Sequence, residues 1–239
     1  MNIVQSSFIQ FLKLGNIPNH VGVIMDGNRC RRYAKQRKME PTDGHIQGYQ
    51  SFLNLLQWSQ KLGIKEISVF AFSIENYNRQ NDEVVFLMEL MKQKMHHLQH
   101  DLNFIDKNQV KIKCCGDLDI LKDQELKSKL LELENYSSKY SQYKLNICFS
   151  YNFTNELEKA IQSMPKGLTK KEFFLQMNSY LMVPNSPILL RTSGETRLSN
   201  FLLYQIRENT VIHFIDKKWP ELSFLDFCNM ILFYRKNKI

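Results

Sequence analysis

The chain has 239 residues, 43% hydrophobic and 23% charged, which suits a folded globular protein and excludes a largely disordered one. Lys and Arg number 32 against 24 Asp and Glu, a formal net charge of +8 that favours anionic partners. The excess is local. Residues 29–38 carry six cations and no acid, the last five residues add Arg235, Lys236 and Lys238, and the rest holds 23 bases against 24 acids. That concentration favours one anion site over general nucleic-acid coating. The five cysteines (Cys30, Cys114, Cys115, Cys148 and Cys228) form no Cys-x-x-Cys framework and read as thiols of a reducing compartment. The start lacks a basic, apolar leader, so no secretory signal is expected, and no apolar run approaches the roughly 20 residues that span a bilayer.

In chain order, residues 3–14 place Val4, Phe8, Phe11 and Leu12 on one face, predicting an N-terminal amphipathic helix within 1–15. Strands are predicted at 20–25, 67–72, 110–115, 145–151, 188–191 and 211–215, short runs rich in Val, Ile and Phe. Helical spacing predicts helices at 45–62, 81–102, 117–139, 154–163, 169–180, 198–207 and 222–235. Gly63 reads as a C-terminal cap, and Asn81-Asp82-Glu83 suits a helix N-terminus. Strands apolar on both faces, alternating with helices, predict an α/β fold. The expected architecture is a single domain over 1–239 with a central, mainly parallel six-stranded sheet covered by helices. The Met-rich segment (Met88, Met91, Met95) reads as core or as the wall of an apolar tunnel.

Ligands of open parallel sheets bind outside the carboxyl ends of the strands. Those ends here are polar and Arg-rich. After the first strand comes Met25-Asp26-Gly27-Asn28-Arg29. Gly27 lets backbone approach a ligand, a following helix N-terminus favours phosphate, and Asp26 is placed to hold Mg²⁺ against it. Taken alone, the run is equally a turn with Asp as a cap. Arg191-Thr-Ser-Gly-Glu-Thr-Arg197-Leu-Ser199-Asn sets two guanidinium forks and several hydroxyls around a glycine, a pattern fit for a diphosphate clamp. Phe72-Ser-Ile-Glu-Asn76-Tyr-Asn-Arg79 puts Asn76 and Arg79 at a third strand end, and His45 follows Gly44 at a helix start. His96, His97 and His100 lack the His-Glu-x-x-His pattern and read as an exposed helix face. Gly-x-x-x-x-Gly-Lys-Ser/Thr, Gly-x-Gly-x-x-Gly, Gly-x-Ser-x-Gly and Asp-Asp-x-x-Asp are all missing. Their absence excludes P-loop, dinucleotide-binding, elbow-hydrolase and helical trans-prenyltransferase readings.

Together, His20-Val-Gly-Val-Ile-Met-Asp26-Gly27-Asn28, Gly44-His45, the 72–79 run and the 191–203 run closely resemble the cis-prenyltransferases. Those are the undecaprenyl and dehydrodolichyl diphosphate synthases. The likeness runs from about residue 15 to Trp219-Pro220 and looks strongest to the eukaryotic dehydrodolichyl catalytic subunits. The resemblance implies condensation of isopentenyl diphosphate onto an allylic diphosphate such as farnesyl diphosphate, with Mg²⁺ as cofactor. It implies Asp26 as the metal and diphosphate ligand, with Gly27, Asn28 and either Arg29 or Arg32 holding the allylic diphosphate. His45, Asn76 and Arg79 would assist its departure, and Arg191, Arg197 and Ser199 would bind isopentenyl diphosphate. Three departures stand out. Cys30 and Arg31 look inserted before Arg32-Tyr33-Ala34-Lys35. Pro41 replaces an arginine, for which Arg37 is the candidate substitute. Thr210 and the Arg235-Lys-Asn-Lys-Ile end stand where homodimeric members carry a metal-binding Glu and an Arg-x-Gly tail.

These departures imply a non-catalytic subunit that supplies Arg-x-Gly, with a homodimer as the alternative and peripheral membrane association compatible. The implied destination is dolichol-type carrier synthesis for protein glycosylation, at the cytosolic face of the endoplasmic reticulum. Two rivals are a catalytically weak or silent subunit of such a complex and an RNA-binding protein, the latter lacking an aromatic stacking platform.

Overall fold

The computed structural model describes residues 3–27, 41–100 and 102–238, with backbone alone for 41–46, 97, 99–100 and 102–104. Asn28, Arg29, Cys30, Arg31, Arg32 and Arg37 therefore lie outside the described residues.

The elements run α1 (Ile3–Lys13), β1 (His20–Ile24), α2 (Pro41–Leu62), β2 (Glu66–Ser73), a 3₁₀ turn (Ile74–Asn78), α3 (Asn81–His100), α4 (Leu102–Asn108), β3 (Val110–Cys115) and α5 (Gln124–Ser137). They continue with β4 (Tyr143–Tyr151), α6 (Phe153–Ser163), α7 (Lys170–Tyr180), β5 (Ile188–Arg191), β6 (Val211–Phe214), a 3₁₀ turn (Trp219–Glu221) and α8 (Phe224–Asn237). The six strands form one sheet in the order β3-β4-β2-β1-β5-β6. The pairs β1–β2, β1–β5, β3–β4 and β5–β6 are all parallel. All six expected strands are present. β1 and β5 are buried along their whole length, as strands covered on both faces must be.

By their contacts the residues divide into two compact units. One comprises Met1–Val69, Ser186–Arg197 and Glu208–Ile239, the other Phe70–Asn185 and Leu198–Arg207. Strand β2 starts in the first and ends in the second.

In the first unit, α1 buries Ile9 and Leu12, while Ile3, Val4, Phe11 and Leu14 stay exposed. Arg235 of α8 donates to the carbonyl of Leu12, in the last turn of α1, and to that of Asn16, just beyond it, tying the end of α1 to α8. A side chain at Gly15 would collide with that guanidinium, its Cβ falling 2.7 Å from Arg235 Cζ. Trp58 of α2 packs against Phe224 and Phe227 of α8, with ring centroids 5.6 and 5.8 Å apart. Helix α2 ends at Gly63, whose φ of +101° and bonds back to Ser59 and Gln60 make the expected left-handed cap.

In the second unit, α5 starts at Asp123, whose side chain accepts from Leu126 N, rather than at 117. Residues 117–123 form a loop after Gly116, at φ +139°, so the acidic run that read as helix is turn and cap. Residues 198–207 are turns and bends, not the expected helix. Ser199, Asn200 and Leu202 have φ of +49°, +57° and +50°, left-handed values that no right-handed helix accommodates. The segment is held instead by Phe201, stacked on Phe70 at 4.6 Å, and by Phe153 N donating to Asn200 O at 2.8 Å. The expected 81–102 helix is split into α3 and α4. Among the described residues, no helix is long and apolar enough to cross a membrane.

Candidate active site

Parallel pairing brings the carboxyl ends of neighbouring strands level, and in the first unit this assembles a polar cluster. Ile24 of β1 sits in register with Arg191 of β5. The residues that follow each therefore meet: the Asp26-Gly27 turn on one side, Thr192-Ser193-Gly194 on the other. Arg191 Nη2 donates to Asp26 Oδ2 at 2.7 Å, and Arg191 Nη1 donates to the Arg197 carbonyl. The guanidinium is 3% exposed against 32% for the Asp26 side chain, so a buried fork presents a carboxylate to an open face. Burying a guanidinium is costly unless it is paired, and Asp26 is the pair.

The Asp26 backbone is held as tightly as its side chain. Its carbonyl accepts from Thr192 Oγ1 at 2.5 Å and from Trp219 N at 3.0 Å, and its Oδ1 accepts from Gly27 N at 2.8 Å. Gly27 has a φ of +96°, and a Cβ there would lie 2.2 Å from Ser193 Oγ and 2.9 Å from Lys218 Cβ. Both the conformation and the space require glycine. Arg197 reaches outward, 64% exposed and paired with Glu195. Thr210 Oγ1 donates to Ser186 O at 2.6 Å, a structural bond inside the fold.

A second cluster forms within the second unit, where β2 ends. The 3₁₀ turn after Ser73 brings Asn76 Nδ2 to Ser73 Oγ at 2.7 Å, and Arg79 N donates to Asn76 O at 3.2 Å. Arg79 Nη1 holds Glu83 in the first turn of α3 at 2.8 Å. Two further contacts pin this turn: Asn152 Nδ2 to Glu75 Oε1 at 2.7 Å, and Tyr77 hydroxyl to Ser150 Oγ at 2.5 Å. Burial raises the Tyr77 hydroxyl above its ordinary pKa, so it stays protonated at neutral pH. Ser199 is exposed in the same unit, on the left-handed turn. Beside α3 lies an open cleft of about 260 Å³, lined by Tyr77, Val84, Val85, Met88, Lys92 and Leu121 among others. Lys92, in its lining, pairs with Glu89, Asp123 and Glu125.

The structure thus brings Asp26, Gly27, Arg191 and Arg197 together, and it sets Asn76 beside Arg79 on one turn. His45 falls within α2, its side chain outside the described part, as are Asn28, Arg29 and Arg32. His96 is exposed, as expected. Three contributors escaped sequence reasoning: Thr192, Ser193 and the Lys218-Trp219 pair. Thr192 and Ser193 were visible only as hydroxyls near a glycine, and Lys218-Trp219 gave no signal, because it is strand pairing that carries them to Asp26.

As a cation site, Asp26 offers one carboxylate, and the described residues hold no cluster of three His, Cys, Asp or Glu side chains that could hold a metal ion. That fits Mg²⁺ bound through one carboxylate plus substrate phosphates, and does not fit a closed protein cage.

A family model described as "Putative undecaprenyl diphosphate synthase" matches residues 24–239. A dehydrodolichyl diphosphate synthase complex subunit of Schizosaccharomyces pombe is 35% identical over 97% of this chain and 90% of its own length. A tritrans,polycis-undecaprenyl-diphosphate synthase (geranylgeranyl-diphosphate specific) of Picrophilus torridus is 33% identical over 99% of this chain and 94% of its own. Among solved structures, lavandulyl diphosphate synthase from Lavandula x intermedia, in complex with dimethylallyl diphosphate, superposes with a TM-score of 0.80. It is 26% identical, over 91% of this chain and 95% of its own.

Proposed function

Because the chain belongs to the undecaprenyl diphosphate synthase family and is a cis-prenyl diphosphate synthase, we propose that it extends farnesyl diphosphate or a similar primer into a long dehydrodolichyl-type polyprenyl diphosphate. Both units would act as one catalytic domain over 1–239. The observation that carries the reading is the ion pair of Asp26 with buried Arg191, at the level carboxyl ends of β1 and β5.

The chemistry breaks the allylic C1–O bond, releasing diphosphate as a cation-like centre develops. The isopentenyl double bond attacks that carbon, and loss of a proton from the adduct forms the new cis double bond. Asp26 and the phosphates would hold Mg²⁺, which supplies charge neutralisation on the departing diphosphate when bound. Gly27 lets the diphosphate lie close to backbone, and Asn28 with Arg29 or Arg32 would complete its cradle. His45, Asn76 and Arg79 would orient and assist the leaving group. Arg191 fixes the Asp26 carboxylate in one orientation. With Arg197 and Ser199 it would grip the diphosphate of isopentenyl diphosphate, since paired guanidinium forks match phosphate geometry. The growing chain would need an apolar path, for which the α3 cleft with Val84, Val85 and Met88 is the candidate.

We further propose a non-catalytic partner that supplies an Arg-x-Gly tail. Arg235 is engaged on the carbonyls of Leu12 and Asn16, and Thr210 is bonded to Ser186, so both side chains are committed inside the fold. The fission-yeast relative is named as a complex subunit, which supports a heteromer. The outer face of α1, with exposed Ile3, Val4 and Phe11, suits peripheral contact with the cytosolic face of the endoplasmic reticulum. Incorporation of labelled isopentenyl diphosphate, measured with and without such a partner, tests both proposals. Asp26→Ala should lower incorporation by about 10²-fold or more. Unchanged turnover in Asp26→Ala would overturn the site, and full activity as a homodimer would overturn the partner.

A further inference from the structure

Ser193 combines two unfavourable features beside Asp26 and Gly27. Its φ is +78°, a left-handed conformation that a side chain disfavours. Its Oγ is buried and has no hydrogen-bond partner among the described residues. A hydroxyl shut away from water without a partner is destabilising, and natural folds rarely leave one. Neither feature is accidental slack. Ser193 N donates to Lys217 O at 2.8 Å, Gly194 N donates to Ile215 O at 2.9 Å, and Gly194 is itself left-handed at +70°. These bonds tie the turn to the segment after β6 and hold Ser193 in place against its own preference. Strained residues kept by over-determined surroundings cluster where a ligand is gripped.

The position of the hydroxyl is specific. Ser193 Oγ occupies the space that a Gly27 side chain would fill, 2.2 Å from that virtual Cβ. It therefore packs directly against the turn whose Asp26 carboxylate faces outward, and its proton is committed to no acceptor among the described residues. An anion seated on the Asp26-Gly27 turn would complete its hydrogen bonding. Thr192, one residue earlier, has its hydroxyl engaged on the Asp26 carbonyl, so the two neighbouring hydroxyls divide the work: one braces the turn, the other is left for a ligand.

We propose that Ser193 is a substrate-binding residue whose hydroxyl donates to a substrate diphosphate on the Asp26-Gly27 turn. The inference rests on the prenyl diphosphate synthase reading of this site and adds a donor to it. Bound diphosphate satisfies the hydroxyl, while the backbone bonds to Lys217 and Ile215 keep the turn in place.

Two variants separate binding from folding. Ser193→Ala removes the hydroxyl and keeps a side chain in the left-handed conformation. Ser193→Gly removes the hydroxyl where the backbone itself prefers glycine, so its folding is not at risk. Calorimetric titration with farnesyl diphosphate and, separately, with isopentenyl diphosphate, each with Mg²⁺, gives the affinities. Both variants should bind one of the two at least about tenfold more weakly, the loss expected for one hydrogen bond to a charged acceptor. Which substrate weakens identifies the diphosphate that Ser193 contacts. Ser193→Gly should also melt above Ser193→Ala. If Ser193→Gly binds both substrates within about twofold of wild type, the proposal is wrong. Asp26→Ala runs alongside: wild-type binding lost in Asp26→Ala but kept in Ser193→Gly rejects Ser193 alone, whereas binding that ignores Asp26 rejects the underlying site.

Discussion

Glu156 of α6 is 2% exposed and accepts four hydrogen bonds. They come from the Tyr151 hydroxyl at 2.5 Å, Gln205 Nε2 at 2.8 Å, Met182 N at 2.6 Å and Val183 N at 3.3 Å. One carboxylate thus ties together β4, α6, the loop after α7 and the irregular 198–207 segment. Burial and the adjacent Glu156 push the Tyr151 hydroxyl far above its ordinary pKa, so the tyrosine is the donor at any working pH. Glu156→Gln keeps the shape but turns one acceptor oxygen into a donor. Tyr151 can rotate its hydroxyl to accept, and Gln205 can turn inward its Oε1, unpartnered among the described residues, but that gives up its Nε2 bond to Val183 O. The backbone N–H groups of Met182 and Val183 exchange a charged acceptor for a neutral one. That is about 1.5–3 kcal/mol, and Glu156→Ala, which orphans all four donors, should cost about 3–5 kcal/mol. Tyr151→Phe removes a single donor to the same carboxylate and should cost about 1.5–3 kcal/mol. Thermal unfolding followed by circular dichroism reads these as drops of roughly 2–4 °C per kcal/mol for a chain of this length. The Glu156→Gln and Tyr151→Phe effects should be non-additive, because the residues share a bond. A Glu156→Gln melt within about 1 °C of wild type would refute the reasoning.

Removing the Arg235 fork in Arg235→Met should release the C-terminal end of α1 at a cost of about 1–2 kcal/mol. Hydrogen exchange across residues 3–14 should accelerate while β1 and β5 are unaffected, and unchanged exchange would contradict the capping role. At Asp226, burial works to raise the carboxyl pKa, but hydrogen bonds from Lys217 and Ser223 outweigh it and hold the group below its ordinary value. The folded carboxyl therefore releases its proton more readily than the unfolded one. Its stabilisation is present above about pH 4 and is lost as pH falls through the lower folded value. Asp226→Asn, which also breaks the Ser223 capping box on α8, should melt lower at pH 7 and converge with wild type in acid. A gap that does not narrow as pH falls below about 4 would contradict that assignment.

Much of the fold was legible because most of its strands are short, β-branched and apolar on both faces and alternate with helical patterns, as in a covered parallel sheet. Residues 198–207 misled for a physical reason. Phe201, Leu202 and Ile206 fall at helical spacing, yet they are buried by turns at Ser199, Asn200 and Leu202 whose handedness composition does not reveal. Asp26 and Arg191 were each legible as candidate site residues, because strand ends gather polar residues; that they pair was not, because it depends on β1 lying beside β5. Glu156 was not: it sits among polar residues on an apparently solvated helix face, and its partners Met182 and Gln205 are distant in sequence. The strained Ser193 belongs to the same class, since neither a φ nor an orphaned hydroxyl is written in residue type.

The most direct test of the central claim is the product itself. Wild-type protein, Mg²⁺, farnesyl diphosphate and labelled isopentenyl diphosphate should be incubated with an Arg-x-Gly-bearing partner. The chains formed should then be sized and the geometry of each added double bond determined by NMR. The account predicts a long polyprenyl diphosphate whose added units are cis, with Asp26→Ala forming almost none. Trans units, or no extension of the primer under any partner condition, would contradict it.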